Sequence, residues 1–138
     1  DQVLQMVATK IGQVGGGGKA FRYSGEEFAV IFSRLSAEDA FYHLDELRRS
    51  IQNYELVIRE DPRAVDTANA PKSGATKTDR KKGSYRTASA KVAVTISIGV
   101  AQKSRSRLKP DDVLKLADEA LYVAKKAGRN QVSVSSAV

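Results

Sequence analysis

Residues 61 to about 89 contain almost no large apolar side chains, so the residues before and after this stretch must form the hydrophobic core. The stretch is rich in Pro, Gly, Ser, Thr and Ala, and from Asp61 to Lys91 it holds eight basic residues against three acidic ones. Such a composition cannot bury enough apolar surface to offset the entropy of ordering the chain. We therefore expect a mobile, basic insertion at residues 61 to 90, within a single domain that spans residues 1–138.

The segment before this insertion is patterned as helix, hairpin and helix. Apolar residues from Val3 to Ile11 recur at helical spacing with no evident start signal, and four glycines at 15–18 end that pattern. Short apolar runs at 20–23 and 28–32 flank a Ser-Gly-Glu turn, which predicts a β-hairpin with an acidic tip. Ser36 then resembles a helix N-cap. The helix after it repeats an apolar stripe, namely Ala40, Phe41, Leu44, Leu47 and Ile51.

Further strands are predicted on both sides of the insertion. Before it, a short strand is predicted at 54–58. After it, apolar residues alternate with smaller or polar ones from Val92 to Val100, which predicts a strand with one buried face. Pro110 begins a helix that Gly128 ends, and a last strand is predicted at 131–134. This order of elements predicts an α+β fold, with a mainly antiparallel sheet flanked by helices.

Composition excludes several classes of protein. The chain has no cysteine, so it has neither a disulfide framework nor a thiolate metal site. It has no apolar run long enough for a membrane span and no charged-then-apolar opening, so we expect neither a span nor a signal peptide within these residues. Five of its seven net positive charges fall within residues 61–91. Tyr85 is the only aromatic residue there, so a solvated insertion is favoured over a surface for nucleic acid or anionic lipid, and nucleic acid is not an expected partner.

The hairpin tip carries the first candidate for chemistry. Glu26 and Glu27 are adjacent carboxylates on a turn beside Gly25. Hard oxygen ligands of this kind suit Mg²⁺, although acidic turns are more often simply solvated. Taken alone, the two carboxylates therefore favour an ordinary surface turn.

Three motifs occur in one order with compatible spacing. Residues 22–28 read Arg-Tyr-Ser-Gly-Glu-Glu-Phe, residues 94–101 read Val-Thr-Ile-Ser-Ile-Gly-Val-Ala, and residues 117–130 contain Ala-Asp-Glu-Ala-Leu-Tyr and then Ala-Lys-Lys-Ala-Gly-Arg-Asn. Together they resemble the signature hairpin, a core strand and the last helix of the GGDEF domain of bacterial diguanylate cyclases, with serine replacing the first glycine. The resemblance covers the chain outside residues 61 to 90 and implies that family's nucleotidyl-cyclase-like fold.

The resemblance implies an enzyme in which two GTP-loaded domains meet as a homodimer and form cyclic di-GMP and pyrophosphate. Glu26 would be the catalytic residue, helping to deprotonate the attacking hydroxyl, and Glu26 and Glu27 would bind Mg²⁺ or Mn²⁺. Lys125 and Arg129, near the end of the last helix, would contact the triphosphate, and Asp1 would hydrogen-bond guanine. The nucleotide-binding residues would be Asp1, Ser24, Gly25, Lys125 and Arg129.

Two departures from the family pattern keep a second interpretation open. The family's first strand and first helix would lie before Asp1, so we expect the domain to be incomplete at its N-terminus and inactive as 138 residues alone. Ser24 also stands where the family prefers glycine. A degenerate domain that binds GTP or a protein without catalysis is the alternative. The resemblance further implies a cytoplasmic location and a sensory or membrane segment N-terminal to the domain.

Other motifs fail on inspection. Gly18-Lys19 lacks the rest of a P-loop, since Gln13 replaces the first glycine and Ala20 replaces the Ser or Thr that binds Mg²⁺. His43 is the only histidine, and no cysteine lies near it in the sequence. We expect it to be packed or solvated rather than catalytic.

Overall fold

The computed structural model describes residues 1–59 and 89–136. The elements in chain order are α1 (Gln2–Gly12), β1 (Lys19–Arg22), β2 (Phe28–Ile31), α2 (Ala37–Gln52), β3 (Leu56–Arg59), β4 (Ser89–Val92), β5 (Ile98–Val100), α3 (Pro110–Lys126) and β6 (Val132–Val134). Among the described residues the strands form three pairs, of which β1–β2 and β3–β4 are antiparallel and β5–β6 is parallel. The mixture of helices and small sheets is the α+β class that the sequence predicts.

The chain divides into two compact units. The first comprises Asp1–Tyr54 with Ala93–Val138, and the second comprises Glu55–Val92. In the second, Leu56 of β3 pairs with Val92 of β4, and an exposed ion pair joins Lys91 Nζ to Glu55 Oε2 at 3.8 Å. The basic insertion predicted at 61–90 lies outside the described residues except for its last two, which belong to β4. The assignment of the whole chain to a single domain stays a prediction.

The start of α1 differs from the sequence prediction. Asp1 is its N-cap, and the Asp1 carboxylate oxygen Oδ1 accepts a hydrogen bond from the Val3 amide at 2.8 Å. A carboxylate at this position satisfies one of the amides that the first helical turn leaves unpaired. The start signal that we did not find is therefore Asp1 itself.

The two longer helices begin and end at residues suited to those positions. Ser36 caps α2, its hydroxyl accepting from the Asp39 amide at 3.1 Å. Pro110 occupies the first turn of α3, where its missing N–H costs nothing. After α3, Gly128 takes a left-handed conformation with φ of 116°, as a glycine that follows a helix commonly does. None of the helices in the described ranges is long and apolar enough to cross a membrane.

The core of the first unit lies between the helices and the short strands. Its buried members come mainly from one face of α1 and one face of α2, namely Val7, Ile11, Ala40, Leu44, Leu47, Ile51 and Val100. The stripe predicted for α2 is confirmed, with Phe41 half-buried at its margin. Ala120 and Ala124 bury the corresponding face of α3.

Gly99 explains how closely α3 lies on β5. A methyl group added at Gly99 would overlap the carbonyl oxygen of Ala117 and the amide nitrogen of Leu121, which are both backbone atoms of α3. Backbone atoms cannot rotate away as a flexible side chain can. Glycine is therefore required sterically at this position, because the helix backbone approaches the strand directly.

The strand predicted from Val92 to Val100 is interrupted. Residues 93–97 belong to no strand in the described ranges, and β4 and β5 are separate elements with different partners. Val94 and Ile96 nevertheless pack against the core as their alternation predicts. The pattern identified the buried side chains correctly, but it was wrong about continuous pairing, since pairing depends on strands elsewhere in the chain.

The glycine run after α1 makes room for His43. Gly16 and Gly17 have φ of 73° and 75°, a region that favours glycine. A Cβ built at Gly15 would lie 2.8 Å from Nδ1 of the His43 ring. The half-buried His43 therefore packs against this backbone, in agreement with the packed role expected for it.

Candidate functional site

The turn between β1 and β2 is held by local hydrogen bonds. The amides of Tyr23 and Ser24 both donate to the carbonyl oxygen of Glu27, at 2.9 and 3.1 Å. The Arg22 guanidinium donates to the carbonyl oxygens of Gly25, at 2.7 Å, and Ser24, at 3.3 Å. Arg22 therefore ties the end of β1 to the tip of the turn, a role that sequence reasoning missed.

The tip of this turn is open to solvent. Ser24, Gly25 and Glu26 are exposed, and a Cβ added at Gly25 would meet nothing within 4 Å. Glu27 is half-buried. The two carboxylates predicted to act together thus have different surroundings, because Glu26 is exposed at the tip and Glu27 is half-buried.

A cleft of about 210 Å³ lies between the hairpin and α3. It is lined by Glu27 from the hairpin and by four residues of α3, namely Asp118, Leu121, Tyr122 and Lys125. The α3 residues are spaced three, four and seven positions apart, which places them on one helical face. The structure therefore brings two predicted site residues together, Glu27 and Lys125.

The remaining predicted residues lie at other points of the first unit. In the described part of the chain, the lining of the cleft does not include Asp1, Glu26 or Arg129. Asp1 caps α1, and Arg129 lies in the turn that follows α3, with φ of 61°. Arg129 donates its amide to the Ala124 carbonyl at 3.0 Å and is exposed.

Two residues of the cleft were present in a quoted motif but were given no role. Asp118 adds a second carboxylate to the lining, and Tyr122 is 61% exposed beside it. Lys126 Nζ lies 5.3 Å from the centre of the Tyr122 ring, within range of a cation–π contact. Helical spacing from Lys125 back to Asp118 was the signal that could have identified both.

The lining combines groups that suit metal ions and phosphates. Glu27 and Asp118 offer carboxylate oxygens, and Lys125 offers an ammonium group. Mg²⁺ commonly binds one or two carboxylates and completes its shell with water and substrate phosphates. Within the described ranges, no cluster of three or more His, Asp or Glu side chains is placed to hold a metal ion by itself. The donor set therefore fits a metal ion that arrives with, and shares, a phosphate ligand.

Comparison with known proteins places these features in a family. The family model for "Diguanylate cyclase, GGDEF domain" matches residues 1–70 and 57–131. The chain is 30% identical over 139 residues to the Escherichia coli K12 protein named "Probable diguanylate cyclase DgcT", covering 100% of this chain and 25% of that protein. It is 29% identical over 116 residues to Diguanylate cyclase A of Treponema denticola, covering 84% of this chain and 24% of that protein. The chain thus spans about a quarter of the length of these relatives.

Solved structures show the same fold. The GGDEF domain of DgcB from Caulobacter crescentus, in complex with c-di-GMP, superposes with a TM-score of 0.71 and 28% identity, over 99% of this chain and 64% of that one. The active GGEEF domain of a diguanylate cyclase from Vibrio cholerae superposes with a TM-score of 0.69 at 19% identity, over 100% of this chain and 69% of that one. The second likeness concerns the fold alone.

Proposed function

The chain belongs to the GGDEF domain family of diguanylate cyclases, and we propose that it contributes the catalytic domain of an enzyme that condenses two GTP molecules into cyclic di-GMP and pyrophosphate. The observation that carries the proposal is the cleft that both Glu27 of the signature hairpin and Lys125 of α3 line. A carboxylate and an ammonium group in one cleft match the two needs of a metal-bound triphosphate, which are a ligand for the cation and a countercharge for the phosphates.

The cationic side of the proposed site lies at the end of α3. Lys125 lines the cleft, Arg129 follows four positions later in the turn after the helix, and both are exposed. We assign them to binding of the triphosphate, because its oxygens are already negatively charged in bound GTP and fixed cations offset that charge in the bound state and the transition state alike. Their position at a helix C-terminus also stabilises the helix dipole, and the two roles are compatible.

The anionic side lies on the hairpin. Glu27, which lines the cleft with Asp118, would hold Mg²⁺ or Mn²⁺ there. Glu26 lies on the tip outside the cleft lining, and we propose it as a second metal ligand and as the acceptor of the proton of the attacking 3′-hydroxyl. The exposure of Glu26 on an open tip suits a group that must reach a substrate on a facing domain. When bound, the metal ion supplies Lewis-acid polarisation of the phosphate oxygens.

The backbone of the turn and the start of α1 complete the proposed nucleotide contacts. Gly25 has open space around it, so a nucleotide could approach the main chain of residues 24 and 25. Asp1 uses Oδ1 to cap α1, which leaves Oδ2 as an acceptor for guanine. The Arg22 contacts would keep the turn in shape while the nucleotide binds.

The partners of the reaction follow from its chemistry. Each 3′-hydroxyl attacks the α-phosphate of the other GTP, so two loaded domains must face each other as a homodimer. A sensory or membrane segment N-terminal to the domain would then control how often two copies meet, and we propose that the reaction takes place in the cytoplasm.

Ser24 favours a second candidate function. It adds a side chain at a position where close approach to the nucleotide calls for glycine. A domain that binds GTP or a partner protein without catalysis would tolerate this change. The two functions differ in turnover and not in fold.

The test is turnover of GTP by the full-length protein with Mg²⁺, with cyclic di-GMP detected by chromatography. Replacing Glu26→Gln keeps the size of the side chain and removes its charge, so we expect product formation to fall by about a thousandfold. Glu46→Gln is the matched control, since Glu46 is exposed on α2 outside the hairpin and the cleft. Its rate should stay within about twofold of the original.

Each outcome decides between the candidates. Product that disappears in Glu26→Gln and persists in Glu46→Gln supports the cyclase. Equal activity in both variants contradicts the role of Glu26. A folded, dimeric protein that binds GTP and forms no product supports the binding module.

A further inference from the structure

The turn after α3 has an unusual backbone. Three consecutive residues have positive φ, with values of 116° for Gly128, 61° for Arg129 and 48° for Asn130. Glycine adopts this region freely and asparagine tolerates it, whereas arginine does so at a cost because of its Cβ. A turn of this kind persists only when surrounding contacts hold it.

Arg48 of α2 supplies such a contact from 82 positions away in the sequence. Its Nη1 donates to Oδ1 of Asn130 at 2.9 Å and to Oε1 of Gln52 at 3.1 Å. Its Nε donates to Oδ1 of Asp45 at 2.8 Å, in an ion pair with the Arg48 side chain only 13% exposed. The guanidinium is therefore bound to α2 through both Nε and Nη1, and Nη1 also reaches the turn.

Comparison with Arg49 shows that the contact with Asn130 depends on the position of Arg48 and not only on its charge. Arg49 also pairs with Asp45, through Nε at 3.1 Å, but its side chain is 69% exposed. Arg48 is the one of the two whose guanidinium reaches Asn130. The two arginines thus provide a matched pair for experiment.

We propose that Arg48 is a positioning residue for the phosphate-binding end of the site. By holding Asn130, it keeps residues 128–130 in their left-handed conformation and so fixes where Arg129 can direct its side chain. The functional part of this proposal rests on the proposed assignment of Arg129 to the triphosphate of GTP. The structural part does not.

The structural part is tested by amide hydrogen exchange in the full-length protein. The reporter is the Arg129 amide, which donates to the Ala124 carbonyl at 3.0 Å. Arg48→Lys keeps a positive charge beside Asp45, but a single ammonium nitrogen cannot replace the two ends of a guanidinium. We expect Arg129 exchange to accelerate by about tenfold in Arg48→Lys and in Arg48→Ala, and by less than about twofold in Arg49→Ala.

Substitutions at Asn130 provide the conservative comparison. Asn130→Asp retains an acceptor oxygen for Arg48, so exchange at Arg129 should remain close to that of the original protein. Asn130→Gly tolerates positive φ but lacks the acceptor, so exchange should accelerate as it does in Arg48→Lys. If both Asn130 variants behave alike, the hydrogen bond to Arg48 does not hold the turn and the proposal is wrong.

The functional part is tested by steady-state kinetics with GTP and Mg²⁺. A misplaced Arg129 weakens the contact with the triphosphate, so we expect KM to rise by about tenfold in Arg48→Lys with kcat changed by less than about threefold. Loss of folded protein would instead lower the apparent kcat and leave KM unchanged. Arg49→Ala should have the same KM and kcat as the unsubstituted protein.

The outcomes separate this proposal from the one on which it depends. Unchanged Arg129 exchange in Arg48→Lys overturns the positioning role, whatever the protein does with GTP. Accelerated exchange with unchanged KM overturns the link between the turn and the triphosphate. If the original protein neither binds nor converts GTP, the proposed function fails, and the exchange data still decide whether Arg48 holds the turn.

Discussion

The two walls of the cleft are built in different ways. We call α2, β5, α3 and β6 the framework. Its contacts are so close that Gly99 admits no side chain and Ile51 is completely buried. In the hairpin, Phe28 and Val30 of β2 pack at the margin of the core, but all four residues of β1 are exposed and the turn is held mainly by contacts within the hairpin.

This difference places the proposed cations beside the packed framework and the proposed carboxylates on the more exposed hairpin. The proposed phosphate-binding cations are exposed, at the end of a well-packed helix and in the turn that follows it. The proposed metal ligands and the proton acceptor lie on an element that can meet another molecule. The comparison predicts that equivalent substitutions have large effects on stability in the framework and small ones in the hairpin.

The largest contrast is expected between two glycines. Gly99→Ala should lower the free energy of unfolding by about 4 kcal/mol or leave no folded protein, because the methyl group meets backbone atoms of α3 that cannot move independently. Gly25→Ala should change it by less than about 0.5 kcal/mol, because there is open space around the hairpin tip. Urea denaturation followed by circular dichroism measures both.

A Gly99→Ala protein as stable as the original would contradict the close approach of α3 and β5. Gly12→Ala is a further control at the end of α1, where nothing lies within 4 Å of the added methyl group. It should be neutral or stabilising by up to about 1 kcal/mol, because alanine favours a helix more than glycine does.

The second contrast uses two isoleucines. Ile51 is 0% exposed in α2, so Ile51→Ala leaves a cavity and should cost about 3 kcal/mol. Ile31 is 56% exposed at the end of β2, so Ile31→Ala should cost less than about 1 kcal/mol. Equal losses in the same denaturation assay would show that the hairpin is as tightly packed as the framework.

The smallest effect is expected at Arg22. Arg22→Ala removes two exposed hydrogen bonds to the turn, so the global free energy of unfolding should fall by less than about 1 kcal/mol. The amides of Tyr23 and Ser24 should nevertheless exchange about fivefold faster, because the turn opens locally. Arg34→Ala, an exposed arginine after β2, serves as the control. Unchanged exchange in Arg22→Ala would mean that the Glu27 carbonyl alone holds the turn.

Features encoded locally could be predicted from the sequence. The stripe of α2, its Ser36 cap and the end of α3 at Gly128 all follow from spacing and residue type, and the structure confirms them. Asp1 carried a local signal that was overlooked, since an aspartate directly before an apolar helical pattern is a typical N-cap.

Features that depend on distant residues could not be predicted. The break at residues 93–97 follows from the different partners of β4 and β5, which no local pattern specifies. The contact between Arg48 and Asn130 joins residues whose proximity only the folded chain creates. For the candidate site, motif resemblance pointed to Glu27 and Lys125, whereas Asp118 and Tyr122 became candidates only because they line the same cleft. The roles of all four residues stay predictions.

The parallel register of β5 and β6 sets an order for folding. Ile98 pairs with Val132, so the chain must pass through the whole of α3 before the second strand can reach the first. Parallel pairing across a helix is a non-local event, whereas the β1–β2 hairpin closes over a five-residue turn and can form within about ten microseconds. The hairpin that carries the family signature is therefore expected to form early and repeatedly, and we expect the pairing of β6 with β5 to be slower.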